Sequence, residues 1–308
     1  MPIIVFGSIN MDLVANTPRL PRPGETLTGH RFTTIPGGKG ANQAVAVARL
    51  GIPTEMVGRV GGDRFGEELL TSLRASGVGC DRVLQDNTTH SGVAMIAVDD
   101  SAENQIIVIP GANGQVDPTD LQRFTDVLST ASALLLQLEI PLPAVVAAAQ
   151  AAKAAGVPVI LDPAPAPTHL PDELYPLIEI LTPNQIEAGQ LVGFEVNTLD
   201  LAADAATVLH QRGVSTVIVK LGKQGALCSP ANGEPFQVPA FVVKAIDTVA
   251  AGDAFNGGLA AALAEGLSLR QATRWAAATA ALSVTKVGAQ SSMPSREELE
   301  AFLATPGV

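Results

Sequence analysis

The sequence predicts an α/β fold, in which helices cover both faces of a mostly parallel sheet and a second, smaller β-sheet is attached. Short apolar runs alternate with longer helical stretches over most of the 308 residues, as expected for repeated βα units. Hydrophobic residues make up 47% of the chain but aromatic residues only 4%, so the core must be aliphatic and rich in alanine. Two segments break the alternation and predict the smaller sheet.

Six apolar runs bounded by Gly, Pro, Asn or Asp predict buried parallel strands. They are PIIVFG, TEMVGRV, SALLLQL, VPVILD, IEILTP and STVIVKLG. The intervening stretches predict helices at 40–50, 63–76, 142–155, 184–192 and 200–212. After residue 250 the pattern is helical throughout, with helices predicted at 251–265, 268–284 and 295–303.

Residues 11–36 and 88–113 contain short alternating stretches with Pro and Gly and show no helical period. Within the second segment, SGVAMIAVDDSAENQIIVIPG predicts a hairpin, because two β-type runs flank a polar turn. Two interpretations remain open: a small sheet that acts as a lid, or two ordinary surface excursions. In either case residues 1–308 are expected to form one α/β domain with these segments inserted in it.

The charge balance and the cysteines argue against several classes of function. The net charge is −11 and no Lys/Arg run could neutralise a phosphate backbone, so nucleic acid is not an expected partner. Cys80 and Cys228 are too widely separated to indicate a disulfide framework or a zinc site. The start MPIIVFGS lacks signal-peptide features and no apolar run approaches the ~20 residues of a membrane span. A soluble cytoplasmic protein without a membrane partner is expected.

Three familiar motifs are absent. PGGKGAN resembles a Walker A loop, but Thr33 stands at the position of its first glycine and Gly40 follows the lysine where Ser or Thr should stand. No GxGxxG follows the first strand, which argues against a dinucleotide-dependent oxidoreductase. No GxSxG nucleophile elbow is present either.

Polar side chains follow two predicted strands at their carboxyl ends, the edge at which α/β folds bind ligands. Asn10 and Asp12 follow the first strand in GSINMD, and Glu139 follows LLLQL. Amide and carboxylate oxygens can accept hydrogen bonds from the hydroxyls of a polyhydroxylated ligand. An ordinary Asx turn is the alternative for Asn10 and Asp12.

Glycines stand at a predicted helix start in GGKGANQAVAVARL, beside Lys39 and Asn42. Gly38 and its neighbours permit close approach of a ligand to the backbone. Lys39 and Asn42 can hydrogen-bond hydroxyl groups.

Asn184 and Glu187 have the spacing of an N-cap residue and the third residue of a helix. This spacing predicts a capping box. It is equally compatible with a site for hydrated Mg²⁺, which keeps several waters and needs few protein carboxylates.

The stretch AIDTVAAGDAFNGGLAAAL carries the strongest indication of chemistry. The amides of Ala250, Ala251 and Gly252, at a helix start, could hold the oxygens of a phosphate in transfer. Asp253 could then accept a hydroxyl proton without a histidine, because phosphoryl transfer depends mainly on positioning and charge neutralisation. A plain helix-start residue is the alternative for Asp253, and Asp247 could bind a cation or brace the loop.

These residues together resemble the ribokinase/phosphofructokinase-B family of sugar kinases over essentially the whole chain. The paired signatures GGKGANQAVA and DTVAAGDAFNG carry the resemblance, supported by GSINMD, LTPNQIEA, LGKQGA and VTKVGAQSSMP. LEIPL followed by DPAPA points toward the ribokinases within that family.

The resemblance implies a ribokinase-like three-layer α/β/α core with a small β-sheet lid that also forms a homodimer interface. It implies ATP-dependent phosphorylation of D-ribose at the 5-hydroxyl, with ATP as co-substrate. Mg²⁺ would be the cofactor, and K⁺ would act as a monovalent-cation activator.

The resemblance also implies roles for individual residues. Asp253 would be the catalytic base, and the amides of 250–252 would form the anion hole. The sugar would be bound by Asn10, Asp12, Gly38, Lys39, Asn42 and Glu139, together with Asp253. The nucleotide site would be lined by Asn184, Lys220, Gly222, Gly225 and Gly252. Glu187 would organise Mg²⁺ through water, and K⁺ would be held by Asp247, Ser292 and the backbone oxygens of Val249, Ser283, Lys286 and Gly288.

Two positions depart from the family pattern. Lys220 stands where many ribokinases have Thr, and Ala277 stands where relatives often have Asn or His beside the adenine. The alternatives are a kinase of the same family for deoxyribose, fructose or a nucleoside, and, from another class, a non-catalytic sugar-binding protein. The polar strand-end residues and the low aromatic content favour a sugar over a nucleoside. Asp253 and the intact AAG turn argue against a silent binder.

Overall fold

The structure is a computed structural model that describes residues 1–101, 103–167 and 169–305. Ala102 of the predicted segment 88–113 lies outside the described residues, as do Thr168 and residues 306–308 of the predicted 1–308 domain. The strands are β1 Ile3–Phe6, β2 Asn10–Thr17, β3 Arg31–Gly37, β4 Thr54–Gly61, β5 Gly79–Asp86, β6 Gly92–Asp99, β7 Asn104–Ile109, β8 Ala133–Leu136, β9 Val159–Leu161, β10 Ile180–Leu181, β11 Thr216–Lys220, β12 Ala226–Pro230 and β13 Phe236–Val238. The α-helices are α1 Lys39–Arg49, α2 Arg64–Ala75, α3 Thr125–Leu128, α4 Leu142–Ala154, α5 Gln185–Val192, α6 Leu199–Gln211, α7 Ala251–Ala264, α8 Leu269–Ser283 and α9 Arg296–Ala304.

The main sheet has nine strands, in the order β13-β12-β11-β10-β9-β8-β1-β4-β5. The seven strands from β11 to β5 are parallel, and β12 and β13 add an antiparallel edge. The carboxyl ends of the parallel strands therefore lie along one edge of the sheet, as the sequence predicts.

The main sheet is buried on both faces, and β1 shows why. Ile3 and Val5 belong to the apolar cluster formed with α1, α2, α7 and α8. Ile4 and Phe6 belong to the cluster formed with α4, α5 and α6. Because successive side chains of a strand point to opposite faces, a run that is apolar at every residue is covered on both sides. The predicted three layers are confirmed.

The predicted helices are all present, with ends that differ by no more than one residue. Three strands of the main sheet, β5, β12 and β13, are missing from the sequence prediction. β5 is an edge strand with several exposed side chains, so it has no continuous apolar run. The run IEILTP contributes only the two residues of β10.

The smaller sheet has four strands, in the order β3-β2-β6-β7. All four lie within or at the edges of the segments 11–36 and 88–113, and β6 and β7 form the predicted hairpin. β2 starts four residues after β1 ends, and Asn10 pairs with Gly37 at the base of β3. The small sheet thus begins at the carboxyl edge of the large one.

Helices α1 and α7 pack with almost no side-chain volume between them. A Cβ atom on Gly257 of α7 would lie 2.3 Å from the Ala46 Cβ of α1. Gly40, in the first turn of α1, approaches the chain after β1 in the same way, because its Cβ would lie 2.7 Å from the Ser8 N. The starts of both helices are thereby fixed at the same edge of the sheet.

Within the described ranges, the structure has no helix of the length and apolar character that a membrane span requires.

Candidate active site

The first turn of α1 is anchored to the ends of two strands. Glu139, after β8, accepts hydrogen bonds through Oε2 from Ser8 Oγ at 2.6 Å and from Lys39 N at 3.0 Å. Gly38 precedes the helix with φ 90, and its Cβ would lie 2.7 Å from the Asn10 N, so only glycine fits there. The carboxylate thus stabilises the helix N-terminus and places the Lys39 side chain at the same edge.

Asn10 is oriented by a residue that sequence reasoning missed. Asn113 Nδ2 donates to Asn10 Oδ1 at 2.7 Å, and the same Asn113 amide bonds both backbone groups of Ile9. Asn10 is nearly fully buried. Because its oxygen is occupied, its Nδ2 hydrogens remain for a ligand acceptor.

The start of α7 presents free backbone amides. Ala250 adopts the left-handed conformation with φ 58, the only non-glycine residue to do so in the described part of the chain. The Ala251 N–H bonds Thr248 O at 3.3 Å, whereas the N–H groups of Gly252 and Asp253 have no acceptor among the described residues. A strained turn with free amides at a helix N-terminus is an anion-binding arrangement. Of the predicted amides 250–252, Ala251 is thus engaged in the turn, and the Asp253 amide joins the free ones.

Asp253 is held by α1 from across the site. Asn42 Nδ2 donates to Asp253 Oδ2 at 2.9 Å, and Gln43 Nε2 donates to Asp253 Oδ1 at 3.2 Å. Burial raises the pKa of Asp253 to about 6, against the opposing effect of the Lys39 charge. The buried Asn42 Oδ1 has no partner among the described residues. This oxygen is therefore an unused acceptor next to the carboxylate.

Asp12 and Lys39 show how acidic this edge of the sheet is. Burial raises the pKa of Asp12 to about 7, and the neighbouring charges of Glu139 and Asp253 add to the shift. Burial alone would lower the pKa of Lys39, but Asp253, Asp162 and Glu139 raise it above its usual range. Lys39 therefore stays charged, and Asp12 is close to half-protonated at neutral pH.

Lys220, at the end of β11, forms a buried ion pair. Its Nζ lies 2.9 Å from Asp162 Oδ1, and a Cβ on Gly252 would lie 3.4 Å from the same Nζ. The lysine thus lies next to the first turn of α7. Asp162 follows β9 at the carboxyl edge, and Gln43 Nε2 lies 3.2 Å from its other oxygen.

Asn184 and Glu187 form a capping box at the start of α5. Asn184 Oδ1 accepts from Glu187 N at 2.9 Å, and Glu187 Oε2 accepts from Asn184 N at 2.7 Å. Asn184 also pairs with Lys220 in a parallel bridge. Burial raises the pKa of Glu187, although the Lys220 charge opposes the shift. The capping interpretation is confirmed, and Glu187 keeps one oxygen for a further partner.

Gly222 and Gly225 flank a short turn after β11. Both have positive φ, at 55 and 87 degrees, and the Leu221 N–H bonds Gly225 O at 2.8 Å. A Cβ on Gly225 would lie 2.0 Å from the Val238 O, which makes glycine necessary there. The turn places its backbone beside Lys220 at the same edge.

The six residues of the predicted K⁺ site lie on two segments that the structure brings together. Asp247 Oδ1 accepts from Val249 N at 3.0 Å, and its Oδ2 accepts from Gly288 N at 2.9 Å. Ile246 N donates to Val284 O at 2.7 Å, which joins the same two segments. Ser283 and the fully buried Ser292 lie on either side of Gly288 in sequence, and the Lys286 ammonium pairs with Glu298. The loop bracing proposed as an alternative role for Asp247 is thus visible.

No group of three or more His, Cys, Asp or Glu side chains placed to hold a metal ion occurs among the described residues. A divalent cation at this edge would therefore take most of its ligands from water and a bound substrate.

Sequence reasoning missed Ser8, Gln43, Asn113 and Asp162. Asp162 follows a predicted strand, so the rule that found Asn10 and Glu139 could have found it. Gln43 is, like Asn42, a polar residue on the buried side of α1, which is a second available signal. Ser8 and Asn113 act through contacts between distant segments, for which the sequence carries no local signal.

The chain was compared with known proteins. The profile described as pfkB family carbohydrate kinase matches residues 2–296. The ribokinase of Haemophilus influenzae is 44% identical over 301 residues, covering 98% of each chain. The deoxyribokinase of Salmonella typhimurium is 38% identical and covers 99% of each chain. The solved structure of Arabidopsis thaliana ribokinase complexed with ribose and ATP superposes with a TM-score of 0.93 at 37% identity, covering 99% of each chain.

The raised pKa of Asp12 predicts a pH-dependent effect on stability. The pKa is about 7 in the folded chain and about 4 in an unfolded one. The ionised form is thus disfavoured by folding, and stability is lost as the pH rises from about 4 through 7. Replacing Asp12→Asn should raise the free energy of unfolding by roughly 2–4 kcal/mol at pH 8 and by little at pH 4. Denaturant unfolding at both pH values measures this.

Asp86→Asn is the control with the opposite sign. Hydrogen bonds from Thr88 lower the pKa of Asp86, so its replacement should destabilise the chain at pH 8 and matter less as the pH falls. A stability gain for Asp12→Asn that is equal at pH 4 and pH 8 would contradict the assignment.

Proposed function

Because the chain belongs to the pfkB family of carbohydrate kinases, we propose that it transfers the γ-phosphoryl group of ATP to the 5-hydroxyl of D-ribose, giving ribose 5-phosphate and ADP. One observation carries the proposal: the buried Asp253 carboxylate lies at a helix start whose free amides are those of Gly252 and Asp253 itself. A base and an anion-binding turn stand together as phosphoryl transfer to a hydroxyl requires. The ribose and ATP named for the Arabidopsis structure support the choice of substrates.

Asp253 acts as the base in this proposal. Its raised pKa, about 6, leaves it mostly ionised at neutral pH yet more basic than an exposed aspartate. It takes the proton of the ribose 5-hydroxyl as that oxygen bonds to the γ-phosphorus, and the bond from that phosphorus to the β-γ bridging oxygen breaks to release ADP. The free amides of Gly252 and Asp253 donate to the phosphoryl oxygens, whose charge is spread in the transition state.

The sugar is held on the other side of Asp253. Asn10 Nδ2 and Asn42 Oδ1 are the unused donor and acceptor of two otherwise fixed amides. Asp12 and the Lys39 ammonium add a carboxyl group and a cation, while Gly38 lets the sugar approach the backbone. Glu139 holds Lys39 and keeps its second oxygen for a hydroxyl. These groups together suit several adjacent hydroxyls better than an apolar base.

The nucleotide occupies the side formed by α5, β11 and the turn before α7. Lys220 supports this assignment, because its ammonium reaches Gly252 in the anion-binding turn. Asn184 is bridged to Lys220, and the turn Gly222–Gln224 with Gly225 presents backbone groups beside them. An amine at position 220 offers the phosphates a charge where a hydroxyl would offer only a hydrogen bond.

Mg²⁺ fits the charge of this site. The acidic groups near the expected phosphates are Asp12, Glu139, Asp162, Glu187 and Asp253, against the cations Lys39 and Lys220. A polyanionic triphosphate would be repelled by this excess unless a divalent cation accompanied it. Glu187 would hold the ion through water with its free oxygen, and the ion would neutralise charge on the phosphates.

K⁺ is proposed beside the anion-binding turn, at Asp247. The donor set fits a hard cation, since it consists of the Asp247 carboxylate, the Ser292 hydroxyl and backbone carbonyls at Val249, Ser283, Lys286 and Gly288. The buried Ser292 Oγ donates to Ala289 O, so its lone pairs remain free to act as a ligand. The Asp247–Val249 bond links this site to the start of α7. A cation there would order the turn without touching phosphate.

Deoxyribose is the second candidate substrate, because the Salmonella deoxyribokinase is nearly as similar over the whole length. Fructose and nucleosides are alternatives within the family. A non-catalytic sugar-binding protein is the alternative from another class. Sugar binding alone does not require a base beside free amides, which argues against it.

The smaller sheet is proposed as a lid on a single kinase domain and as the interface of a homodimer. Ile106 and Val108 are about half exposed. Val108 lies in the same cross-strand row as Ala94 and Asp12, so all three share a face of the sheet. An apolar face continuous with a substrate residue suits a second copy that covers the site edge.

The two cysteines are free, in keeping with the reducing cytoplasm.

The substrate and the base are tested together. With ATP and Mg²⁺, turnover should be highest with ribose in a panel of ribose, deoxyribose, fructose and adenosine. Asp253→Asn should lower kcat by roughly 10²–10⁴, the loss expected for a general base, and should leave ribose affinity nearly intact by calorimetry. Asp200→Asn, which also removes a first-turn acid from a helix, should keep the wild-type kcat.

Highest turnover with another sugar would retain the chemistry and overturn ribose as the substrate. Ribose binding without any turnover would favour the non-catalytic protein, and near-wild-type turnover of Asp253→Asn would remove that residue from its role.

The cation site predicts that K⁺ activates turnover and that Asp247→Ala weakens the activation. The variant loses the carboxylate that joins Val249 to Gly288, so more K⁺ should be needed for half-maximal kcat. Titration with KCl at constant ionic strength, balanced with choline chloride, measures this. Superimposable titrations of the variant and the wild type would contradict the site.

The dimer interface is tested with neighbouring residues of β7. Ile106→Asp places a charge on the face shared with Asp12 and should shift the mass measured by light scattering from dimer to monomer. Ile107 is equally exposed and adjacent, but it points to the opposite face, so Ile107→Asp is the matched control. A monomeric wild type, or equal effects of both variants, would contradict the interface.

A further inference from the structure

Two buried side chains beside the base have no part in the reaction as proposed above. Gln43 is 1% exposed and Asp162 is 2% exposed. The Gln43 Nε2 lies 3.2 Å from Asp162 Oδ2 and 3.2 Å from Asp253 Oδ1. Gln43 Oε1 accepts a hydrogen bond from Gln137 Nε2 at 2.7 Å. An amide nitrogen carries two hydrogens, so Gln137 selects the orientation in which each hydrogen serves one carboxylate.

Asp162 requires a counter-charge because it is buried. Lys220 provides it, with its Nζ 2.9 Å from the oxygen that Gln43 does not use. Lys220 therefore contacts Asp162, Asp162 contacts Gln43, and Gln43 contacts Asp253. This series of contacts connects the expected phosphate site with the base. Each oxygen of Asp162 and each hydrogen of the Gln43 amide has one partner in this chain.

We propose that Asp162, neutralised by Lys220, positions the Asp253 carboxylate through the shared Gln43 amide. The inference rests on the proposed function, in which Asp253 is the base. Gln43 and Asn42 each hold one oxygen of Asp253, so the carboxylate cannot rotate away from the hydroxyl that it must deprotonate. The charge of Asp162 also keeps Asp253 more basic than a neutral neighbour would. Both Gln43 and Asp162 are positioning residues, because neither reaches the reacting atoms.

Asp253 is also exposed to other charges, which come from each element packed around it. Lys39 of α1, Asp12 of β2 and Asp162 after β9 interact with Asp253 itself. Glu139 after β8, Glu187 of α5 and Lys220 of β11 interact with those three groups in turn. A useful test must change one of these charges by an isosteric substitution and leave the others in place.

Two isosteric variants are expected to move the pH profile of kcat in opposite directions. Asp162→Asn removes a negative charge near Asp253, so the acidic limb should move down by roughly one pH unit. Gln43→Glu removes a donated hydrogen bond and adds negative charge, so the limb should move up. The profile is measured at saturating ribose and MgATP, with ribose affinity determined separately by calorimetry and expected to change less than threefold.

The controls separate positioning from general damage to the fold. Asp120→Asn removes an equally buried, ion-paired carboxylate elsewhere, and it should lower the melting temperature without moving the acidic limb. The double variant Asp162→Asn with Lys220→Met removes the ion pair as a unit, so it avoids an uncompensated buried charge. Because it removes one charge of each sign, and the negative one lies closer to Asp253, it should move the limb down by less than Asp162→Asn does. It replaces that variant if Asp162→Asn alone is too unstable to assay.

Opposite shifts of the two single variants support the proposal. Acidic limbs that do not move, or that move in the same direction in both variants, overturn the positioning proposal. In that case ribose-dependent turnover of the wild type still supports the proposed function. A wild type without ribose-dependent turnover would instead overturn the proposed function.

Discussion

The structure depends on a balance of buried charge at the carboxyl edge of the main sheet. Five carboxylates and two lysines meet there because strand ends and helix starts converge on one edge. A change of charge at one of these groups changes the electrostatic environment of its neighbours, since charges interact strongly where water is scarce. Lys39 is the clearest case: burial works against its charge, and the surrounding carboxylates retain it. The excess of negative charge would repel a phosphate group that arrives without a divalent cation.

Backbone amides supply positive charge for an anion at this edge, where most of the side chains are acidic. The left-handed Ala250 turns the chain so that the amides at the start of α7 are left without internal acceptors. Fixed amides carry partial positive charge and do not titrate, so their attraction for an anion does not depend on pH. The same turn is contacted by Lys220 and is linked through Val249 to Asp247. Lys220, Asp247 and Asp253 therefore converge on a few residues at the start of α7.

Much of the fold was predictable, because a strand buried on both faces has an unmistakable apolar run and the helix ends carry strong signals. β5 was missed because an edge strand needs no such run. The polar strand-end residues Asn10 and Glu139 were predictable from the general rule for α/β sheets. Their hydrogen-bond partners were not predictable. Glu139 bonds the start of α1, and Asn113 bonds Asn10 from more than a hundred residues away in sequence. Such contacts arise from packing, which no local pattern records.

The close contact of Gly257 with Ala46 constrains how this enzyme could change over evolution. Because this contact leaves no room for a larger side chain, it fixes the spacing of α1 and α7, and the amides of Asn42 and Gln43 keep their hydrogen bonds to Asp253. A larger side chain at either position would therefore displace the carboxylate that we propose as the base. Asn10 and Asp12 belong instead to β2, in the smaller sheet. New sugar preferences would therefore be expected to arise from substitutions in that sheet, with the start of α7 inherited unchanged.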